Sequence, residues 1–192
     1  MTKHILLSLS LIPFSITQSF TQDFIAKWYF ESPATSVTFE AVTTGNVNYT
    51  WEASPSGESG SGSFDAPTST ELSLEDLTIN EYDTLILSIE GANMSQFGAG
   101  VEPDKDKFFD VSQWGGAEWN FFSFQGCTHL IEFSASDTPD LSSATTAENM
   151  FLGATQFNGN ISNWDMSTIV DMHHMFENAS SFNQNLNSWN TS

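Results

Sequence analysis

The chain has 192 residues, of which 39% are hydrophobic and 17 are Phe, so it carries enough apolar surface for a folded core. Its 24 acidic side chains outnumber the four lysines, arginine does not occur, and the formal net charge is −20. Nucleic-acid binding depends on clustered cations that displace counterions from phosphates, so this charge excludes nucleic acid as a partner.

The first residues of the chain have the pattern of a secretory signal. An apolar run over 5–16 follows a basic start, and the small residues Thr17 and Ser19 stand two apart after it, as signal peptidase prefers. The run is too short to span a bilayer. We therefore interpret residues 1–19 as a signal peptide. We expect a secreted protein, extracellular or on the outer cell surface, with no membrane span in this part of it.

Residues 20–98 alternate between apolar and polar side chains in short runs. One run holds Val37, Phe39 and Ala41, and later runs repeat the same period with turn-rich sequence between them. Short strands separated by turns are typical of an antiparallel β-sandwich, so we predict one here. The stretch 54–63 contains no apolar residue, and we interpret it as a solvated hairpin loop.

A junction over 99–124 joins this region to the rest of the chain. Asp104 and Asp106 have the spacing of a calcium loop, but Phe108 and Phe109 stand where further oxygen ligands would be needed. We expect a solvated loop there, keep Ca²⁺ as the alternative, and predict no other cofactor. The Trp-rich second half of the junction is expected to cap the region that follows.

A 25-residue repeat occupies residues 125–192, with about three copies visible. The matched positions are Met150 and Met175, Phe151 and Phe176, Ala154 and Ala179, Phe157 and Phe182, Asn158 and Asn183, Ile161 and Leu186, and Trp164 and Trp189. Units of this length cannot bury their own apolar side chains, so neighbouring repeats must stack. The recurring Asn is expected to bond backbone groups in a ladder. Because the chain stops at a repeat boundary, we expect further repeats after Ser192.

The spacing inside each repeat predicts its local structure. Apolar residues at 172, 175, 176 and 179 follow the i, i+3, i+4, i+7 pattern of one helical face. The spacing around Ile161 and Trp164 suits a short strand after a turn. The predicted fold is therefore a β-sandwich followed by an α/β leucine-rich-repeat solenoid with short helices and a parallel sheet.

The repeat pattern Met-Phe-x-x-Ala-x-x-Phe-Asn, followed by Ile or Leu and then Trp, resembles the BspA-like leucine-rich repeat, also called DUF285, over residues 113–192. Such repeats are common in secreted proteins of Bacteroidetes and in mycoplasma surface proteins, often after a PKD-like sandwich. Residues 20–98 resemble a PKD-like domain in their alternation, but residues 51–54 replace its usual Trp-Gly-Asp-Gly turn. The resemblance implies a surface-exposed adhesion or interaction role and names no ligand.

The sequence offers no recognisable catalytic or metal-binding constellation, so we predict that the protein is not an enzyme and holds no metal. His173 and His174 lack a third ligand, and Cys127 lacks a partner base. Trp114 and Trp119 are candidates for ligand contact by stacking on sugar rings. The alternative is that they pack against the end of the repeat region.

Two functional hypotheses follow from these features. The first is a non-enzymatic adhesion or protein-interaction module that uses its repeats and binds host or neighbouring-cell surface proteins or glycans. The second is a carbohydrate-binding module of a secreted polysaccharide-utilisation or glycosidase system, which would use the sandwich or exposed Trp side chains.

Export of the full chain from a bacterial host is expected to yield a mature protein that begins near Phe20, because signal peptidase cuts after small residues. Intact-mass measurement of the exported protein checks this. A Leu7→Arg variant, which interrupts the apolar run, should stay uncut inside the cell. A full-length mass in the exported fraction would show that residues 1–19 are not a cleaved signal.

Overall fold

The computed structural model describes residues 23–190, and the signal-peptide prediction lies outside this range. The first hundred described residues form nine strands in two sheets. In chain order the strands are β1 (Asp23–Phe30), β2 (Val37–Thr43), β3 (Val47–Ser54), β4 (Glu58–Phe64), β5 (Thr70–Leu74), β6 (Asp83–Glu90), β7 (Met94–Gly98), β8 (Phe108–Gln113) and β9 (Phe121–Ser123). One 3₁₀ turn, Gly91–Asn93, separates β6 from β7.

The two sheets have the orders β4-β3-β6-β1-β8 and β5-β2-β7-β9. All pairs are antiparallel except β7 with β9, which run parallel. This all-β arrangement is compatible with the predicted sandwich. Strands β8 and β9 follow residue 98 yet pair with β1 and β7, so the two sheets draw on the segment expected to be a junction. The expected division at 20–98, 99–124 and 125–192 stays a prediction.

Alternating side chains build the sandwich core. Strand β1 buries Phe24, Ala26, Trp28 and Phe30, each at most 1% exposed, while the residues between them face outward. Burial of an aromatic or branched side chain of this kind contributes about 1.5–3 kcal/mol, so this face fixes the register of the strand. A one-residue slip would carry all four side chains to the solvent side.

The stretch 54–63 is not the expected solvated loop, because most of it belongs to strand β4. Its glycines lie under the aromatic side chains of β3: a Cβ atom on Gly60 would stand 2.6 Å from Trp51 Nε1, and one on Gly62 would stand 2.5 Å from Tyr49 Oη. Glycine is required here for close approach, so the strand carries few apolar side chains of its own. The hydropathy pattern therefore did not predict strand β4.

The predicted α/β leucine-rich-repeat solenoid with short helices and a parallel sheet is wrong. Among described residues after Ser123 there is no helix and no extended strand, only turns and isolated bridges. Asn149 and Gly153 adopt positive φ values of 56° and 71°, which a right-handed helix does not allow. The chain instead forms overlapping turns, in which the N–H groups of 150, 152 and 154 donate to the carbonyls of 147, 149 and 151.

Successive repeats are nevertheless joined by backbone hydrogen bonds that recur at every second residue. The N–H groups of Ala147, Asn149, Phe151 and Gly153 donate to the carbonyl oxygens of Asp171, His173, Met175 and Glu177, over 2.8–3.0 Å. One repeat earlier, the N–H groups of Phe124 and Gly126 donate to Met150 and Leu152. Because Phe124 directly follows β9, these bonds connect the repeats to the edge of the second sheet.

A series of buried aromatic rings extends from the second sheet into the repeats, alongside these hydrogen bonds. Phe97 of β7 lies 6.4 Å from Phe124, Phe124 is stacked 5.8 Å from Phe151, and Phe151 is stacked 5.5 Å from Phe176, measured between ring centroids. The buried residues from Phe24 to Met175 form one contiguous cluster. The sandwich and the repeats therefore share a core.

The buried carboxylate of Asp110 connects the first sheet to the repeat segment. Asp110 on β8 accepts hydrogen bonds from Lys27 Nζ at 2.8 Å, from Ser134 Oγ at 2.6 Å and from the Ser134 backbone N–H at 2.8 Å. Asp110 is 5% exposed. A charge this deeply buried is tolerated because both of its oxygens are hydrogen-bonded and a cation is paired with it.

The shared core makes a testable prediction at Phe124, which contacts rings of both parts and is fully buried. Phe124→Ala should lower the free energy of unfolding by about 3–5 kcal/mol, because it leaves a cavity between the sandwich and the repeats. Urea unfolding followed by Trp fluorescence measures the change, and a single transition is expected. Ile131→Ala, at a 56% exposed side chain, is the matched control and should change stability by less than about 0.5 kcal/mol. Two separate transitions, or equal effects of both variants, would contradict a shared core.

Candidate functional site

The repeat segment buries its aromatic positions and exposes its polar ones. The predicted repeat positions that are buried are Met150, Phe151, Ala154, Phe157, Ile161, Trp164, Met175 and Ala179, and those that are half-buried are Phe176, Phe182, Leu186 and Trp189. The two Asn positions, Asn158 and Asn183, are exposed. The surface that these repeats offer to a partner is therefore built mainly from Asn, Asp, Ser and Thr.

Turns opened by a polar side chain recur on this surface. Asp140 and Asp165 each accept the N–H of the residue two positions later at 3.0 Å, and Asn160 and Asn185 do the same at 3.1 and 3.0 Å. Such local bonds favour Asp and Asn at the start of a turn. All four residues are exposed. We call these four residues the polar turn surface.

The Asn158 side chain makes one bond of the kind expected for the ladder between repeats. Its Oδ1 atom accepts the backbone N–H of Asn183 at 2.8 Å, and Gln184 Nε2 donates to the Asn158 carbonyl oxygen at 2.7 Å. Trp189 Nε1 likewise donates to the carbonyl oxygen of Ile161 at 3.1 Å. These bonds fix the offset between neighbouring repeats at the surface as well as in the core.

The acidic members of the polar turn surface are stabilised in their charged form. The Ser167 hydroxyl, followed by the Ser167 backbone N–H, lowers the pKa of Asp165 below its ordinary value. Ser142 lowers the pKa of Asp140 by the same two bonds. Hydrogen bonds donated to a carboxylate favour its ionised state, so both side chains stay negative at neutral pH.

Trp114 and Trp119, the candidates for ligand contact, lie in the interior at 1% and 0% exposure. Trp114 packs edge-on against Trp164 at 5.4 Å and lies 4.8 Å from Phe122, and Trp119 packs edge-on against Phe24 at 5.0 Å. They fill the space between the sandwich and the repeats. Neither indole ring offers a face to a ligand in this arrangement.

A second surface feature lies on the outer side of the first sheet and was not found from the sequence. Tyr29, Thr84 and Phe109 stand on the neighbouring strands β1, β6 and β8 and line an open cleft of about 780 Å³. Its other lining residues are Glu31, Ser32, Asp106, Lys107 and His129. Tyr29 is 40% exposed, so its ring is available at the cleft wall. Only strand register brings these side chains together, and no local motif marks it.

The residues weighed for metal or nucleophilic chemistry are not assembled into such a site. Asp104 is 3% exposed, accepts the Thr38 N–H at 2.8 Å and pairs with Lys107 at 2.7 Å. His174 contacts Glu177. Burial raises the pKa of the Cys127 thiol. Among residues 23–190, no three His, Cys, Asp or Glu side chains are grouped to hold a metal ion.

The segment that forms the repeated turns is similar to a known protein family. A protein-family model described as "Mycoplasma protein of unknown function, DUF285" matches residues 121–192. This segment is DUF285-like. The match begins at β9, the strand that joins the second sheet to the repeats. It supports a DUF285 or BspA-like assignment for this part of the chain.

Two further comparisons gave no match. No curated protein and no solved structure resembles the chain significantly. Within the described residues, no helix has the length and apolar character needed to cross a membrane.

The pKa of Asp165 generates a prediction about pH. A carboxylate whose folded pKa is lowered stabilises the fold above its unfolded pKa of about 3.9, and this contribution is lost as pH falls through the folded pKa. In thermal unfolding at pH 7 and 0.15 M NaCl, the unfolding midpoint of wild type should therefore be higher than those of Asp165→Asn and Asp165→Ala. As pH falls further and Asp165 is protonated, the unfolding midpoints of wild type and Asp165→Asn should converge, because both then present a neutral acceptor. Asp165→Ala should remain the least stable throughout, because it has no side-chain acceptor for the turn.

Glu71→Gln, at an exposed position of β5, is the control for loss of one negative charge. If it changes the midpoint as Asp165→Asn does, the effect comes from net charge and not from the turn.

Proposed function

We propose that the protein is a secreted or cell-surface, non-enzymatic adhesion or protein-interaction module whose DUF285-like repeats bind its partner. The observation that carries the proposal is the polar turn surface, in which Asp140 and Asp165, and Asn160 and Asn185, recur at the repeat period and are exposed. Their turns are held by hydrogen bonds, and the aromatic side chains beneath them are packed against neighbouring repeats.

A periodic and preorganised surface suits binding through many modest contacts. Each ordered turn lowers the entropy lost on association, and equivalent turns spaced along the repeats let a partner engage several at once. The net charge of −20 favours partners with cationic surfaces and would speed their encounter at low salt. The partners we propose are host or neighbouring-cell surface proteins or glycans. A PKD-like role for the sandwich, as a spacer before the repeats, belongs to the same proposal.

A carbohydrate-binding module is the second candidate, and the cleft of the first sheet favours it. Tyr29 and Phe109 present aromatic rings beside Glu31, Asp106 and His129. Apolar ring faces next to a few polar groups are the usual composition of a small-ligand site. In this alternative the repeats would position the sandwich near a polysaccharide.

One binding experiment with two variants separates these candidates. The purified protein is tested against arrays of cell-surface proteins and of glycans. The turn variant Asn163→Lys with Asn187→Lys changes two exposed side chains next to the turns that Asn160 and Asn185 open, and it leaves the turn acceptors in place. The cleft variant is Tyr29→Ala.

We expect surface-protein or glycan binding that weakens at least tenfold in the turn variant and stays unchanged in Tyr29→Ala. Glycan binding lost only in Tyr29→Ala would replace the first candidate by the second. No binding on either array, or binding that neither variant changes, would refute the adhesion proposal. Circular dichroism melting of each variant checks that the fold is intact.

A further inference from the structure

Strand β4 is the terminal strand of the first sheet, so it pairs with β3 on one side and presents its other backbone edge outward. Alternate residues of an antiparallel strand point their N–H and C=O groups to opposite sides. Every second residue of β4 therefore directs both groups away from β3. The seven residues Glu58–Phe64 keep a continuous register with β3, without a bulge. We call the outward side of this strand the β4 edge.

The β4 edge lacks the features that usually protect an exposed strand. Lysine, proline, a bulge or a very short strand is the common protection, whereas β4 has the sequence Glu-Ser-Gly-Ser-Gly-Ser-Phe. At the opposite end of the same sheet, β8 is covered, because the Ala135 N–H donates to the Val111 carbonyl oxygen at 3.1 Å. The repeat segment therefore lies beside β8, and the β4 edge is at the far side of the sheet from it.

On the inner face, aromatic rings of β3 reach across β4 toward this edge. Gly60 and Gly62 have no side chains, and the rings of Trp51 and Tyr49 occupy the space where their Cβ atoms would stand. Tyr49 and Phe64 are half-buried, with ring centroids 6.0 Å apart. Apolar side chains of an added strand would face these rings as cross-strand neighbours and bury more of them.

On the outer face, an open groove of about 490 Å³ begins at the same edge. Strand register sets two rows of side chains across it, which are Ser59, Glu52 and Ile86, and Ser61, Thr50 and Ser88. The β4 member of each row is a small serine, so a long side chain on an added strand can lie over it and reach β3. In the first row it meets Glu52, which is exposed. Lys and Arg combine an apolar stem with a charged end, which is the shape and charge that this row favours.

Charge distinguishes the possible occupants of the β4 edge. Lys27, Lys105 and Lys107 each pair with an acid other than Glu52, so no cation within residues 23–190 neutralises it. A second copy of the chain would bring another net charge of −20, with its own Glu52 and Glu58, to the same edge. Such a charge keeps copies apart. A basic segment from a different protein brings the opposite charge.

We infer that the β4 edge is a docking site for an extended, basic segment of another protein, which joins the first sheet as its sixth strand. The backbone of the segment pairs with β4, its apolar side chains pack toward Tyr49 and Phe64, and its Lys or Arg side chains enter the groove beside Glu52. Strand addition is an established mode of peptide recognition, in which backbone bonds give affinity and pockets for alternate side chains give specificity. This site goes beyond the interaction role proposed for the repeats.

The probe is a fluorescently labelled, end-capped peptide, Val-Lys-Val-Lys-Val-Lys-Val, and fluorescence anisotropy with the full chain in 0.15 M NaCl measures its binding. The control peptide, Val-Val-Lys-Lys-Lys-Val-Val, has the same composition and charge. We expect saturable binding of the first peptide and at least tenfold weaker binding of the second, because only alternation places every Lys on the groove side of a strand. Absence of binding, or equal binding of both peptides, would overturn the inference.

Two variants of the full chain test the location of the site. Ser61→Lys places a cation in the groove and should weaken binding of the alternating peptide at least tenfold. Ser73→Lys makes the same change at an exposed position of β5, the terminal strand of the other sheet, and should leave binding unchanged. Equal loss in both variants would show that net charge alone attracts the peptide and would refute the site. If Ser61→Lys fails to fold, Glu52→Gln replaces it, with Glu71→Gln as its control.

Hydrogen exchange tests the backbone pairing directly. The outward amides of residues 58–64 should exchange rapidly in the free protein and at least tenfold more slowly with saturating peptide. Slow exchange at these amides in the free protein would mean that the edge is already covered. Protection outside β4 alone would place the peptide elsewhere, and either result overturns the inference. Neither result affects the role proposed for the repeats, which the turn variant tests separately.

Discussion

A chain of backbone hydrogen bonds, running from the sandwich into the repeats, is the constraint on which the rest of the structure depends. The Ala99 N–H bonds the Ser123 carbonyl, the next N–H at Phe124 bonds Met150, and the next at Phe151 bonds Met175. Each peptide group accepts on one side and donates on the other, so every repeat takes its position from the one before. The aromatic stack of Phe97, Phe124, Phe151 and Phe176 follows the same path and excludes water from it.

The period and burial of the repeats could be predicted from the sequence, but their backbone conformation could not. Positions that match 25 residues apart indicate which side chains pack against the adjacent repeat. Phe151, Phe157 and Ile161 are fully buried, as this pattern predicts. The i, i+3, i+4 spacing is shared by a helix and by overlapping turns, because both return the chain to the same side after three or four residues. The positive φ values of Asn149 and Asn178 are incompatible with a right-handed helix, so the chain forms turns there.

The strands of the sandwich could be predicted where apolar and polar residues alternate. They could not be predicted where contacts between distant residues determine the structure. Strand β4 escaped notice because Gly60 and Gly62 leave room for the rings of Trp51 and Tyr49, a requirement visible only once the strands pair. Trp114 and Trp119 suggested ligand contact by residue type, yet they pack at the junction. The cleft around Tyr29 depends on three strands that are distant in sequence. The recurrence of Asn158 and Asn183 was visible in the sequence, whereas the turns of the polar turn surface are identified by their hydrogen bonds.

One row of the bonds between repeats, from Phe124 through Phe151, has a single direction and therefore an electrostatic consequence. In an ordinary sheet the strand dipoles alternate and nearly cancel, whereas aligned peptides in an α-helix add to a macrodipole. Here the bonded peptides from Ser123 through Met150 to Met175 all point their N–H groups away from the sandwich. Their moments therefore add, and the positive pole lies at Phe176. Within this row, main-chain dipoles alone therefore offset part of the negative charge of a strongly acidic molecule.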